Sequence, residues 1–197
     1  TLSSVLDLLL LLNRETRFLA GGMCVCNELV SRVGCERVSL GWYHNGIVKL
    51  VAMSHSEKFE KKMELVRLME LSMEECVDQE DAIVWPSPQG SETITRDHEN
   101  YARAVNADHL CSIPLFSAGE VCAVLLFERR ESGFVENDIL QLQVFADQLG
   151  PRLHDLRSSD RWFGARWYHG AREQLAKLVG VRNTFWKIAG LIVAILL

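Results

Sequence analysis

The sequence predicts an α+β fold, with a central antiparallel sheet, the helices of the two chain ends on one face and inserted elements on the other. Three observations predict it. Residues 109–128, HLCSIPLFSAGEVCAVLLFE, form two short runs rich in β-branched and aromatic residues around a turn at Ala118 and Gly119. Neither run alternates cleanly between apolar and polar residues, which predicts a hairpin covered on both faces in the middle of a sheet. Residues 37–43 and 47–53 flank Asn45-Gly46, a strong hairpin turn signal. Around both hairpins lie stretches with helical spacing of apolar residues.

Taken in order, residues 2–12 are strongly apolar but much shorter than the roughly 20 residues a membrane span needs. They predict a helix for packing or dimerisation. Residues 15–33 continue helically, with Leu19, Met23, Cys26, Leu29, Val30 and Val33 on one stripe and Gly34 just past the end. With Asn45-Gly46 as the loop of the first hairpin, Trp42 should pair with Lys49, Leu40 with Val51 and Val38 with Met53. That set shares one sheet face, and Tyr43, Val48, Leu50 and Ala52 share the other.

Ser54-x-x-Glu57 has the form of a capping box opening a helix. Along that helix Phe59, Met63, Val66, Met69, Met73, Cys76 and Val77 recur three or four apart, as a core stripe does. Residues 82–85 predict a short strand stopped by Pro86 and Pro88, residues 86–95 a polar loop, and residues 97–105 a short helix. After the second hairpin, Ile139, Leu142, Phe145, Ala146, Leu149, Leu153 and Leu156 make a long helical stripe. Pro151 falls within it, and a kink or break near Gly150 is expected.

The chain has 197 residues, 48% of them hydrophobic, which suits one domain with a real core plus an appendage. Its net charge of −5 conceals a split. Residues 157–187 hold seven basic and two acidic side chains, hence +5, so the first 156 residues carry −10. A positive charge lying outside an acidic folded part is not a nucleic-acid-binding layout. Residues 158–187 therefore read as a basic, aromatic juxtamembrane segment containing Trp162, Phe163, Trp167, Tyr168, Phe185 and Trp186. Residues 188–197 are wholly apolar and resemble the first half of a membrane span. Aromatic and basic residues at its entrance place the folded part on the cytoplasmic side, by the positive-inside rule. The expected organisation is a helix at 1–14, a domain at 15–157, the juxtamembrane segment at 158–187 and the start of a transmembrane helix at 188–197.

The motif Ile113-Pro114-Leu115, a turn with Gly119-Glu120, then Val121-x-Ala123-Val124-Leu125 resembles the last hairpin of GAF domains. The predicted order of elements is similar to that of GAF and PAS-like sensor folds, and the long terminal helices favour GAF. The resemblance covers residues 15–156. Residues 165–178, ARWYHGAREQLAKL, are similar to the juxtamembrane stretch of bacterial membrane-fusion (HlyD-type periplasmic adaptor) proteins with a cytoplasmic GAF-like domain. That resemblance implies a bacterial inner-membrane protein with its folded domain in the cytoplasm.

No phosphate loop, HExxH, nucleophile elbow or kinase signature is present. The six histidines lack ligand spacing, and the acidic residues fall on predicted helix exteriors and loops, where solvation accounts for them. The six cysteines, Cys24, Cys26, Cys35, Cys76, Cys111 and Cys122, show no metal spacing and read as free, mostly buried thiols. The Ala118-Gly119 turn sets Cys111 and Cys122 out of register for a cross-strand disulfide. Some GAF proteins reduce free methionine sulfoxide, and Cys76, Cys111 and Cys122 are the thiols available for that role. Such chemistry needs an exposed thiolate beside a positive group, which apolar strands do not supply. The Asn-Lys-x-x-Phe-Asp-Glu motif of cyclic-nucleotide-binding GAF domains is absent. The sequence names no cofactor.

The expected function is that of a non-enzymatic sensory or regulatory domain, membrane-anchored and homodimeric through its terminal helices. Its candidate ligand-binding residues are Trp85, His98, Tyr101 and Ser112, on and beside the segment that covers the sheet. They suit a small, partly aromatic or polar metabolite. The alternatives are a dimerisation module of a transport or secretion adaptor with no ligand, and a methionine sulfoxide reductase.

Overall fold

A computed structural model describes residues 2–55, 63–88 and 90–179, with side chains as far as residue 160. The elements are α1 (Leu2–Arg14), α2 (Phe18–Val33), β1 (Arg37–His44), β2 (Ile47–Met53), α3 (Met63–Gln79), β3 (Ile83–Trp85), α4 (Arg96–Val105), β4 (His109–Ser117), β5 (Glu120–Arg129) and α5 (Glu136–Val179). The chain divides into two units, Thr1–Arg157 and Ser158–Leu197. In the second, the described backbone is helical as far as Val179. Among the described residues no helix is long and apolar enough to cross a membrane. The apolar stretch 188–197, Glu57 of the expected capping box and Phe59 of the Met stripe lie outside the described residues.

The five strands form one antiparallel sheet in the order β2-β1-β5-β4-β3. The turn residues set it up. Asn45 and Gly46 both have positive φ, as do Ala118 and Gly119, the signature of a two-residue hairpin turn. The second hairpin supplies the central strand and its neighbour, and the burial is two-sided as predicted. Cys111, Ile113, Leu115, Ala123, Leu125 and Phe127 join α1, α2 and α5 in one core, while Leu110, Val124 and Leu126 join α3 and α4 in the other. Pro114 falls past the end of β3, which pairs only with Leu110 to Ser112. A residue without an N–H is tolerated there, where the strand has a single neighbour.

The first hairpin departs from the simple register. Trp42 pairs with Lys49 as expected, but the register shifts between Leu40 and Gly41, and Leu40 pairs with Ala52. One extra residue, Val51, is absorbed as a bulge, and a one-residue slip exchanges sheet faces. Ala52 consequently joins Val38, Leu40 and Trp42 in the first core, and Met53 joins Val48 in the second. Ser54 is buried, and its hydroxyl accepts the N–H of Val38 at 2.9 Å. It locks the hairpin's open end.

Three helical expectations are also corrected. Residues 15–17 interrupt the first helical run, with Arg17 extended at φ −114°, ψ 137°, and α2 begins at Phe18. The break lets two stripes reach the core, Val5, Leu8 and Leu12 from α1 and Val25, Cys26 and Leu29 from α2. Phe18 takes the anchoring place, edge-on to Trp42 at 4.9 Å, and Leu19 is 59% exposed. In α3, Met69, Met73, Cys76 and Val77 are buried, but Met63 lies open to solvent. Finally, α5 is one continuous helix through Pro151, so of the kink or break expected near Gly150 the break does not occur. A proline costs a helix roughly 3 kcal/mol, whereas burying one leucine contributes about 1.5–3 kcal/mol. Leu149, Leu153 and Leu156 are all buried on a single stripe spanning the proline, so packing wins.

Candidate functional site

The residues that carry polar chemistry gather under α4. This helix is polar, and only His98, Tyr101 and Ala102 of it are buried. Its N-cap, Thr95, makes no side-chain capping bond. A carboxylate from another helix does that work. Glu75 of α3 accepts the backbone N–H of Asp97 through Oε1 and that of His98 through Oε2, each at 3.1 Å. Two orphan N–H groups at a helix N-terminus, with the positive end of the helix dipole, suit an anion.

The same carboxylate continues into a relay. Glu75 Oε2 lies 2.6 Å from His98 Nδ1, and His98 Nε2 lies 2.7 Å from Ser112 Oγ on β4. Relative exposures of 8%, 0% and 0% for Glu75, His98 and Ser112 bury it, with His98 and Ser112 fully enclosed. Burial alone pushes the Glu75 carboxyl upward, but the His98 ring and the two backbone N–H groups outweigh it and hold the pKa below the ordinary 4.5.

A second buried group sits two residues further along the sheet. The register aligns Arg37, Glu128, Leu110 and Trp85 across four strands. Tyr101 of α4 donates its hydroxyl to Glu128 Oε1 at 2.7 Å, and Arg37 Nη1 donates to both carboxylate oxygens at 3.2 and 2.9 Å. Here burial dominates: the Glu128 carboxyl is raised despite Arg37 and Tyr101, and the Tyr101 hydroxyl is raised by burial and the Glu128 charge.

Of the four residues singled out by sequence, the structure therefore joins His98 to Ser112 and places Tyr101 in the neighbouring cluster, all with their polar atoms bonded inside the protein. Trp85 stands apart. It lines an open cavity of about 500 Å³ with Ala102, Arg103, Asn106, Ala107, Asp108 and Arg130. Sequence reasoning missed Glu75 and Glu128, which it assigned with the other acids to solvent. The one signal for Glu128 was its position directly after the unbroken apolar run VCAVLLF.

An acid, an imidazole and a hydroxyl in this order could activate a nucleophile. The hydroxyl here is wholly enclosed, so no substrate reaches it, and the relay fastens α4 to α3 and the sheet. Among the described residues no group of His, Cys, Asp or Glu could hold a metal ion.

The sequence profile of the GAF domain family matches residues 24–153, about two thirds of the chain. The chain belongs to the GAF domain family. GAF domains are generally sensory or regulatory, and some are enzymes. The GAF domain of an Acinetobacter phosphoenolpyruvate-protein phosphotransferase is similar at a TM-score of 0.62 and 12% identity, covering 81% of this chain and 96% of that one. A free methionine-R-sulfoxide reductase from Neisseria meningitidis, in complex with its substrate, is similar at 0.57 and 15% identity, covering 79% and 89%. A domain of a putative two-component sensor histidine kinase from Sinorhizobium meliloti is similar at 0.52 and 15% identity, covering 71% and 92%. At these identities the likeness is one of fold. No curated protein matches the chain.

The six thiols of this GAF domain are free. Burial raises the pKa of every one, Cys35 and Cys122 to about 11, and Cys26, Cys76 and Cys111 well above the ordinary range. Arg129 pulls Cys35 the other way without overcoming burial. Cys76 Sγ bonds the Asp81 carbonyl at 3.3 Å and Cys122 Sγ the Leu115 carbonyl at 3.4 Å. Thiols in these settings are poor nucleophiles at neutral pH.

Proposed function

We propose that this GAF domain is a non-enzymatic regulatory module that works by association with a second copy through its terminal helices. The observation that carries this reading is the contrast between its two sides. Under α4 the polar atoms of His98, Tyr101 and Ser112 are already paired within the chain. On the other side, Leu6 and Leu10 of α1 and Leu140 and Val144 of α5 are 54%, 62%, 55% and 47% exposed. Each pair is four residues apart and so stands on one helix face. Burying such side chains contributes roughly 1.5–3 kcal/mol apiece, which favours pairing.

The non-enzymatic part is supported by thiols whose pKa values burial raises and by a hydroxyl relay closed to solvent. Membrane attachment through residues 188–197, a cytoplasmic setting at a bacterial inner membrane and service to a membrane-fusion-type adaptor belong to this proposal on the sequence of residues 161–197 alone. A second reading, ligand recognition by His98, Tyr101 and Ser112, requires α4 to lift and exchange its internal bonds for a ligand's.

Light scattering tests the association. The full chain should have the mass of a dimer at micromolar concentration, and Leu10→Glu with Leu140→Glu should halve it while the circular dichroism stays native. A monomeric parent chain would overturn the reading.

A further inference from the structure

The cavity beside Trp85 is not explained by either buried cluster. It opens where four elements end together: Trp85 closes β3, Ala102 to Ala107 form the last turn of α4 and its exit, Asp108 precedes β4, and Arg130 follows β5. Ala102 and Ala107 leave the space empty because they are small, and Trp85 supplies a broad flat wall. At about 500 Å³ it lies within the range of small-molecule sites.

Its charges define what fits. Two guanidiniums, Arg103 and Arg130, stand at the rim with side chains 71% and 61% exposed. Each already meets a carboxylate, Arg103 through Nη2 to Glu99 and Arg130 through Nε to Glu36 at 3.1 Å. Exposed pairs of this kind contribute little and exchange readily. The contact of Arg130 with Glu36 runs through Nε, and a guanidinium's planar set of donors suits a planar anion.

One acid, Asp108, shares the lining with the two arginines. The end of α4 adds partial negative charge, but the chain blunts it. Asn106 takes the left-handed cap conformation, and both its N–H and that of Ala107 close on the Ala102 carbonyl. The cavity thus has two guanidiniums held by exchangeable surface pairs, one acid and an aromatic wall.

We propose that this cavity binds a small aromatic carboxylic acid whose ring bears a hydroxyl or amino group. The ring lies against Trp85, the carboxylate meets Arg130 and Arg103, and the ring donor meets Asp108. A simple inorganic anion would leave the indole wall unused, and a cation would face two guanidiniums. This site is independent of the association of terminal helices, because none of its lining residues belongs to α1, α2 or α5.

Calorimetric titration of the full chain with para-hydroxybenzoate tests the proposal, with benzyl alcohol and inorganic phosphate as competing probes. Saturable binding at one site per chain is expected, with both competing probes at least about tenfold weaker. A lost charge-assisted contact reads as roughly tenfold to a hundredfold in Kd. Arg130→Gln and Trp85→Leu should each weaken para-hydroxybenzoate by about that much, while Lys49→Gln, which removes an exposed cation on β2, should leave it unchanged. Thermal melts of each variant confirm that it is folded. Absence of saturable binding, equal affinity in Arg130→Gln and the parent chain, equal loss in Lys49→Gln, or phosphate binding as tightly as the aromatic acid would each overturn it.

Discussion

Single residues decide how α4 is held. Glu75 accepts three hydrogen bonds from one helix, so Glu75→Gln, which keeps shape but offers one acceptor oxygen, should cost about 2–3 kcal/mol in urea unfolding. Its pH signature has a definite sign. A carboxylate with a lowered folded pKa stabilises above the unfolded value of 4.5, and that contribution disappears as pH falls through the folded value below it. Glu128, raised by burial, behaves oppositely: its contribution is complete below 4.5 and is lost as pH rises through its folded value. Glu75→Gln should therefore flatten the acid limb of stability below pH 4.5, and Glu128→Gln should remove a stability loss on the way up from 4.5. Urea midpoints taken across the acid range read both, and parallel curves for the two variants would contradict the assignment.

Trp85 and His98 are alike in sequence and differ in the folded chain. An aromatic and a titratable side chain on a covering segment are visible as candidates in sequence. Their fates differ because of partners that sequence does not display: Glu75 and Glu128 look like any acid in an amphipathic helix or at a strand end. Trp85→Ala should cost clearly less than the roughly 3–5 kcal/mol of a fully buried aromatic, since the ring borders open space.

At the scale of elements, turns and caps were legible and close approaches were not. Asn45-Gly46, Ala118-Gly119 and Gly34 announce their backbone geometry locally. The Val51 bulge and the passage of α5 through Pro151 are decided by packing far away in sequence. Gly150 shows why. A Cβ there would fall 2.2 Å from the backbone oxygen of Phe116. Glycine to alanine inside a helix ordinarily stabilises by up to about 1 kcal/mol, yet Gly150→Ala should destabilise by about 1–3 kcal/mol or shift α5 off β4. Thermal unfolding decides between the two signs.

The free edge of β2 shows the same dependence on tertiary neighbours. Its Val48 and Leu50 N–H groups are taken by Glu74 and Glu70 of α3 at 2.9 and 3.0 Å. An edge strand blunted in this way is a poor template for another chain. The Glu70→Ala, Glu74→Ala double variant should aggregate faster on heating.

For the whole molecule, the layer arrangement followed from the order of elements, because two hairpins split by inserted helices leave few ways to cover both sheet faces. Trp42 ties the helical face together. It meets Phe18 edge-on, stacks on His154 at 6.3 Å and carries the Arg157 guanidinium 4.7 Å over its ring. Arg129 ties α2 to the start of α5, bonding the Val33 carbonyl at 2.6 Å and Asp138 at 2.8 Å. In the proposed association, the exposed side of that face meets the same face of a second copy. A two-fold pair places one patch against itself, so a residue near the axis meets its own copy. The direct measurement is oxidative cross-linking of Leu10→Cys in a Cys24→Ser background, with Ile47→Cys on the β2 edge as the control. Association through the terminal helices should give rapid disulfide-linked dimer at position 10 and none at position 47; cross-linking at position 47 alone, or at neither, would overturn it.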